Sequence, residues 1–393
     1  MYRYRYEYTH FIPENIAPVG AKKITVYNNE GVAVLDIALG NLTPPSEEKK
    51  YSFCAVSDVH VTYDTGSEDF QRALTFVENN DIDFTVVNGD LTTNGNDEQM
   101  TQYKNLVSTY AKTKPVYTLG GNHETGVGDM TSERIEKYTG KPMNYYIEKG
   151  DDVFIFVSHF GGYRGDGIGW LSSEFVTKEQ LQWLYEALEV NRNKRCFLFN
   201  HVYPYEDVVG DACRYYDGRY WLTTDGSIGQ AYINLLKHYK NTILFHGHSH
   251  LRFYLQELDK KANYSSEVGY RSIHIPSLAT PRDKVDGTLS SVYAESEGYI
   301  VDVYDNYIIL NGRDFVDNEK DGHEIPIATY KIDTTLVEVK ANTFIDSTGI
   351  IIVMASTDYG KVDECMTGDY VENNIATVNN GKVNRERSFL NGL

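Results

Sequence analysis

The chain is predicted to be an α/β protein in which mixed β-sheets are flanked by helices, with β-rich extensions at both ends. Three observations carry this. Between residues 50 and 245, strand-length apolar runs alternate with segments whose apolar residues recur at helical spacing. Beyond residue 250 the pattern changes to successive short strands with turns between some of them. The first 46 residues are tyrosine-rich and then strand-like.

The elements follow in order. Lys23 to Tyr27 and Val32 to Leu35, joined by Asn28-Asn29-Glu30-Gly31, read as a hairpin within an N-terminal extension of residues 1–46. Pro44 to Lys50 is a polar linker. The main domain, residues 47–315, opens with Tyr51 to Val56, a buried strand carrying Asp58 just past its end. A helix starts near Ser67, where Phe70, Ala73, Leu74 and Val77 fall at i, i+3, i+4 and i+7. Phe84 to Val87 is a strand leading into Asp90. Met100, Tyr103, Val107 and Tyr110 mark a second helix, and Pro115 to Leu119 leads into Asn122 and His123. Val153 to Val157 is a further strand. Thr177 and Gln180 have capping-box spacing ahead of Leu181, Leu184 and Leu188. Cys196 to Phe199 leads into His201. A helix over Gln230 to Lys240 precedes Thr242 to Phe245, which leads into His248 and His250. Arg252 to Leu258, Tyr270 to Ile275, Gly298 to Tyr304 and Tyr307 to Leu310 read as strands. In the C-terminal extension, residues 316–393, Ile325 to Lys331 and Thr334 to Val339 look strand-like and Asp346 to Gly349 reads as a turn. The last thirty or so residues are polar and expected to be partly disordered.

Composition narrows the function classes. At 393 residues the chain suits one large domain or two modest ones, and 41% hydrophobic with 24% charged residues is ordinary for a globular protein. A net charge of −19 repels polyanions, so neither general nucleic-acid binding nor an anionic membrane surface is expected. The four cysteines (54, 196, 213 and 365) show no CxxC spacing and read as isolated thiols. The N-terminus lacks the apolar stretch of a signal peptide, and the longest apolar runs, such as Ile350 to Ala355, are far too short to span a bilayer. A reducing cytoplasm is the expected compartment. No repeat or heptad run is visible, and nothing sets an oligomeric state.

Five blocks carry the chemistry: Asp58-Val59-His60, Gly89-Asp90, Gly120-Gly121-Asn122-His123-Glu124, Asn200-His201 and Gly247-His248-Ser249-His250. Nearly every one follows a strand, which gathers their side chains on loops at one sheet edge. The donors are imidazole, carboxylate and amide, without thiolate, a set that suits divalent zinc, iron or manganese. They outnumber the ligands of one tetrahedral ion. A bridging carboxylate between two ions accounts for the surplus, and Asp90, with no neighbouring ligand of its own, is the candidate. Two divalent ions against two aspartates leave a cationic site in an acidic protein, which favours phosphate esters. Such a pair also lowers the pKa of a bridging water.

In this order the blocks resemble the calcineurin-like metallophosphoesterases, and the resemblance covers roughly residues 50 to 315. It implies a four-layer α/β/β/α sandwich with metals at the sheet edge. It implies one ion on Asp58, His60, Asp90 and His250, and a second on Asp90, Asn122, His201 and His248. Asp90 would be the bridge and the catalytic carboxylate, and His123 would contact the phosphate and assist the leaving group. The implied cofactors are two divalent ions (Mn²⁺, Fe²⁺, Zn²⁺ or a mixture), and the implied partner is a small phosphate ester or a nucleotide. The implied reaction is hydrolysis of a mono- or diester by direct attack of the bridging hydroxide; a pyrophosphate substrate is another form of it. The purple acid phosphatases place a tyrosine three residues after the bridging aspartate, where this chain has Thr93, so an iron(III)-tyrosinate pair is not expected. The β-like ends also leave open a structural or virion-associated protein that carries the domain as a module. His159 follows a strand and could approach the cleft, although packing is the plainer reading. His246 is expected to pack at a strand end, and His238, His274 and His323 to be structural or exposed. Phe160 to Gly167 and Tyr203 to Tyr216 could shape a substrate site, and Arg164, Arg214, Arg219 and Arg282 are candidate clamps for a second phosphate.

Overall fold

The computed structural model describes residues 23–27, 33–38, 48–127, 131–159, 176–203, 227–255, 264–265, 269–285, 288–291, 295–316, 323–339, 376–379 and 382–385. The chain divides into a unit Met1–Lys49 and a unit Lys50–Leu393. In the first, β1 (Lys23–Tyr27) and β2 (Ala33–Ala38) pair antiparallel, Lys23 opposite Ala38.

The second unit runs β3 (Tyr51–Val56), α1 (Gly66–Asn79), β4 (Phe84–Asn88), α2 (Asp97–Tyr110), β5 (Val116–Leu119), a π-helical turn (His123–Val127), α3 (Ser132–Thr139), β6 (Asn144–Lys149) and β7 (Asp152–Val157). It continues with α4 (Lys178–Val190), β8 (Arg195–Asn200), α5 (Ser227–His238), β9 (Thr242–His246), β10 (Tyr264–Ser265), β11 (Arg271–His274), β12 (Arg282–Val285) and β13 (Thr288–Ser291). It closes with β14 (Glu297–Val303), β15 (Tyr307–Asp314), β16 (His323–Asp333), β17 (Ala376–Asn379) and β18 (Lys382–Arg385).

Two six-stranded mixed sheets form the body. One has the order β16-β15-β14-β3-β4-β5, with β3, β4 and β5 parallel and the β14–β16 side antiparallel. The other has the order β10-β11-β9-β8-β7-β6, with β11, β9, β8 and β7 parallel and an antiparallel strand at each edge.

Strand periodicity explains the layering, because successive side chains face opposite sides of a sheet. Phe53, Ala55, Phe84 and Val86 of the first sheet meet Phe154, Phe156, Phe197, Phe199, Ile243 and Phe245 of the second in one buried cluster. Their intervening neighbours face outward. Cys54, Val56 and Val87 pack on Phe70, Leu74 and Val77 of α1 and on Met100 and Tyr103 of α2. Val153, Ile155, Leu198 and Leu244 pack on Leu181, Leu184 and Leu188 of α4 and on Ala231 and Leu235 of α5. The result is helices, sheet, sheet, helices: the four-layer arrangement expected. The central layer is aromatic. Phe53 stacks on Phe84 at 5.4 Å and meets Phe154 edge-on at 5.3 Å, a packing that adds to simple area burial.

Several elements differ from expectation. Sheet one continues past residue 315, since β16 pairs along β15 with Leu310 opposite Tyr330. The α3 helix and β6 had no sequence reading; α3 is short, and its signals are the Thr131 cap on the Arg134 N–H and Gly140 in the left-handed region at φ 67°. Arg252 to Leu258 is not a strand where it is described: Phe253 to Leu255 are helical, and the Phe253 N–H donates to the Glu297 carboxylate at 2.8 Å. Thr334 to Val339 joins no sheet. The Val337 N–H and C=O are both held by the Asn241 amide, at 2.9 and 2.8 Å, so side-chain bonds replace a ladder. No helix among the described residues is long and apolar enough to cross a membrane.

Candidate metal centre

The five blocks follow the C-terminal ends of five parallel strands, three from one sheet and two from the other. Asp58 and His60 follow β3, Asp90 follows β4, and Asn122 and His123 follow β5. His201 follows β8, and His248 and His250 follow β9. Backbone bonds stitch the loops together. Asp58 N–H donates to Gly89 O at 3.1 Å, His60 N–H to Asp90 O at 2.9 Å, and Gly247 N–H to His201 O at 2.9 Å.

These loops are strained. Asp58 (φ 52°), His60 (φ 43°), Asp90 (φ 48°), His248 (φ 69°) and His250 (φ 61°) all lie in the left-handed region without being glycine. Each such residue costs on the order of 1 kcal/mol or more, and such strain concentrates where side chains must be aimed. Gly89, at φ 86°, is a glycine for two reasons: its conformation, and a Cβ there would sit 2.6 Å from the His201 ring.

Four of the candidate side chains have one atom committed and one left over. Asp58 Oδ2 accepts the His248 N–H at 3.0 Å, leaving Oδ1. Asp90 Oδ1 accepts the His123 N–H at 2.9 Å, leaving Oδ2. The His201 Nδ1–H donates to Asn88 O at 2.7 Å, leaving Nε2. His250 Nδ1 lies 2.7 Å from Thr280 Oγ1, leaving Nε2. Fixing one imidazole nitrogen in this way sets the tautomer that offers the other to an ion. The atoms left over converge. Ligand atoms of Asp58, His60, Asp90 and His250 lie within 4.8 Å of one another, as do those of Asp90, His201 and His248, with Asp90 in both groups. Asp58 Oδ1, Asp90 Oδ2 and His201 Nε2 are buried and face other groups of the cluster, with His201 Nε2 3.1 Å from Asp90 Oδ2 and His250 Nε2 2.9 Å from Asp58 Oδ1. Asn122 Oδ1 is buried without a hydrogen-bond partner. Buried donors and acceptors crowded together with too few partners carry a cost that a bound cation would relieve. Two divalent cations fit this oxygen and nitrogen donor set.

Electrostatics agree. Burial raises the Asp58 carboxyl, but the His250 and His201 imidazoles outweigh it and hold Asp58 below the usual range. Asp90 is likewise held well below its ordinary value, with His201 and His123 outweighing burial. Burial pushes His60 down to about 3 and His248 well below 6.5. His201 goes the other way: the Asp90 and Asp58 carboxylates overcome burial and hold it up at about 9.

His123 stands at the mouth, its side chain 24% exposed and its Nε2 3.8 Å from Asp90 Oδ2. Its Nδ1–H donates to Thr93 O at 2.6 Å. Three supporting residues were not singled out from the sequence. Buried Glu124, raised by burial and by Asp90, accepts from the Thr92 N–H and hydroxyl and from the Gly121 N–H, all at 2.9 Å. Asn88 and Thr280 orient His201 and His250. Only Glu124 had a signal, its place in the third block.

The remaining sequence candidates fall as follows. His246 is buried in β9 with Nε2 3.0 Å from Ser272 Oγ, and His274 Nε2 lies 2.7 Å from Ser249 Oγ. His159 is buried against Thr125. Cys54 and Cys196 are buried thiols pushed up to about 12 by desolvation. Arg282 opens β12, where its backbone N–H donates to His250 O at 2.6 Å. Arg164, Arg214, Arg219 and the aromatic stretches 160–167 and 204–216 lie outside the described residues.

The calcineurin-like phosphoesterase profile matches residues 51–252, just over half of the chain. Among solved structures, a dimetal phosphatase from Danio rerio is 12% identical with a TM-score of 0.52, covering 73% of this chain and 100% of that one. A purple acid phosphatase from yellow lupin seeds is 15% identical with a TM-score of 0.48, covering 79% of this chain and 59% of that one. No curated protein gives a significant match. At 12% identity the Danio rerio structure bears on the fold alone, and the profile spans all five blocks. With the blocks converging between two sheets as described, the chain belongs to the calcineurin-like phosphoesterases.

Proposed function

We propose that this protein is a two-metal hydrolase of phosphate mono- or diesters. The observation that carries the reading is the convergence of buried ligand atoms of Asp58, His60, Asp90 and His250 and of Asp90, His201 and His248, each group within 4.8 Å, with Asp90 in both. In this reading Asp58, His60, Asp90 and His250 hold one ion, and Asp90, Asn122, His201 and His248 hold the other. When bound, two divalent ions would supply Lewis acidity toward phosphoryl oxygens and acidify a shared water near neutral pH.

The chain's own residues do the rest. Asp90, in both ligand groups, sets the spacing of the two positions, and the His123 N–H holds its second oxygen. Thr93 O fixes the His123 Nδ1–H, so a proton carried on Nε2 faces the cluster from the more exposed side. There His123 contacts a phosphoryl oxygen and protonates the departing alkoxide, an effect typically worth 10²–10⁴-fold.

The test is a hydrolysis panel. Protein stripped of metal and restored with Mn²⁺ is assayed on p-nitrophenyl phosphate and bis-p-nitrophenyl phosphate in parallel. Metal-dependent turnover of either compound is expected, and the preferred one separates monoesters from diesters. No turnover of either, in protein shown to carry two ions per chain, would count against the reading.

A further inference from the structure

A segment outside the five blocks, Ser277-Leu278-Ala279-Thr280, joins β11 to β12 and lies beyond the residues that the family profile matches. All four residues are buried, and they bond to two of the ligand loops. Leu278 N–H donates to Ser57 O at 2.9 Å, and Ala279 N–H to Asp58 O at 3.3 Å. The Ser277 hydroxyl donates to the same Asp58 O at 3.1 Å. Thr280 closes on Ser277, its N–H donating to Ser277 Oγ at 2.9 Å. Both oxygens of Thr280 then meet His250, whose Nδ1 lies 2.7 Å from Oγ1 and 3.2 Å from the backbone O. A carbonyl oxygen can only accept, so Nδ1 carries a hydrogen and Nε2 is the nitrogen offered to an ion. With its oxygen taken by His250, the Thr280 hydroxyl has its hydrogen for Ser277 Oγ, 3.4 Å away. The chain therefore runs one way, from imidazole to threonine to serine to Asp58 O. Asp58 and His250, both in the left-handed region at φ 52° and 61°, are held by the same four residues.

Those two residues fall in one half of the centre, the group that also holds His60 and Asp90. In the other half His201 is held from a different strand end, its Nδ1–H on Asn88 O at 2.7 Å. We propose that Thr280, anchored by Ser277, is a positioning residue for the ion position formed by Asp58, His60, Asp90 and His250, and that the other position does not depend on it. Removing the partner of a ligating imidazole's far nitrogen typically costs about 10- to 100-fold in metal affinity. Here that loss falls on one ion of the two. The division rests on the two-metal reading of the site and separates its halves by what supports them.

The test is a calorimetric titration of metal-stripped, full-length protein with Mn²⁺, in wild type, Thr280→Val and Thr280→Ser. Valine keeps the shape of the side chain and removes the hydroxyl, and serine restores it. Thr280→Val is expected to weaken one of the two dissociation constants about 10- to 100-fold and to leave the other near its wild-type value. Thr280→Ser should recover the lost affinity. Ligand variants show which half is affected. Adding Thr280→Val to His60→Ala should leave the remaining tight constant unchanged, whereas adding it to His248→Ala should weaken that constant. Equal weakening of both constants in Thr280→Val would overturn the proposal by showing a general structural role. Two unchanged constants, no recovery in Thr280→Ser, or a loss that follows the His248 half would overturn it as well. Should Thr280→Val not fold, Thr280→Ala removes the same hydroxyl and gives the same comparison. Fewer than two ions bound by wild type would count against the two-metal reading itself, whereas the change in one constant relative to the other reports on Thr280.

Discussion

Asp58 and Asp90 each give one oxygen to a backbone N–H of a neighbouring block and keep the other turned inward. That division of labour recurs in His201 and His250, and it decides what the metal-free site does with protons. His201, held up at about 9, carries a proton between the two carboxylates. A histidine raised in the folded state stabilises fully below its ordinary value of 6.5, and that contribution is lost as pH climbs through 9. His60 and His248, lowered by burial, act oppositely, withdrawing stability as pH falls below 6.5. Metal-free protein is therefore expected to melt lower at pH 9.5 than at pH 6.5, by calorimetry. His201→Gln should flatten that alkaline limb, and an unchanged limb would remove His201 as its source. The candidate donors could be read from the sequence because metal chemistry restricts them to a few residue types, and the fold brings Asp58, His60, Asp90, His201, His248 and His250 together. Their supports could not: a backbone carbonyl such as Asn88 O or Thr93 O can come from any residue.

Between residue and fold stand the strand-end loops. The strands were legible because buried parallel strands read as apolar runs, and α1 and α4 because of their helical spacing and capping box. Local pattern failed where tertiary bonds decide the backbone, as at Phe253, tied to Glu297, and at Val337, clasped by Asn241. The loops themselves depend on close approach. At Gly89, a side chain would need φ 86° and would meet the His201 ring. Gly89→Ala should thus cost about 1–3 kcal/mol of stability and reduce metal affinity more than Gly150→Ala, a position also at positive φ (61°) but with open space around it. Equal effects of the two substitutions on metal affinity, by calorimetric titration, would contradict this account of the loop.

Across the whole molecule, stability and chemistry occupy opposite ends of the same strands. Arg195 begins β8, whose far end leads to His201, and it pairs through two bonds with buried Asp152, at 2.9 and 2.6 Å. Tyr51 OH donates to the same carboxylate at 2.6 Å, and Arg195 also donates to Tyr304 O and Thr334 Oγ1, each at 2.8 Å. This network joins the two sheets away from the metal centre. Asp152→Ala leaves a buried guanidinium without its carboxylate and should lower stability by about 3–5 kcal/mol. Hydrolysis per folded molecule should remain near wild type. A selective loss of activity without loss of stability would mean the two ends are coupled. The aromatic layer between the sheets supports this separation, since it fills the span between Arg195 and the ligand loops.

The most direct measurement is the number of divalent ions bound per chain, by elemental analysis and calorimetric titration with Mn²⁺, in wild type and in Asp90→Asn. Asp90 is the one residue common to both ligand groups. Two ions per chain in wild type and a sharp weakening of both sites in Asp90→Asn are predicted. A single ion in wild type, or two ions bound with undiminished affinity in Asp90→Asn, would contradict the two-metal centre.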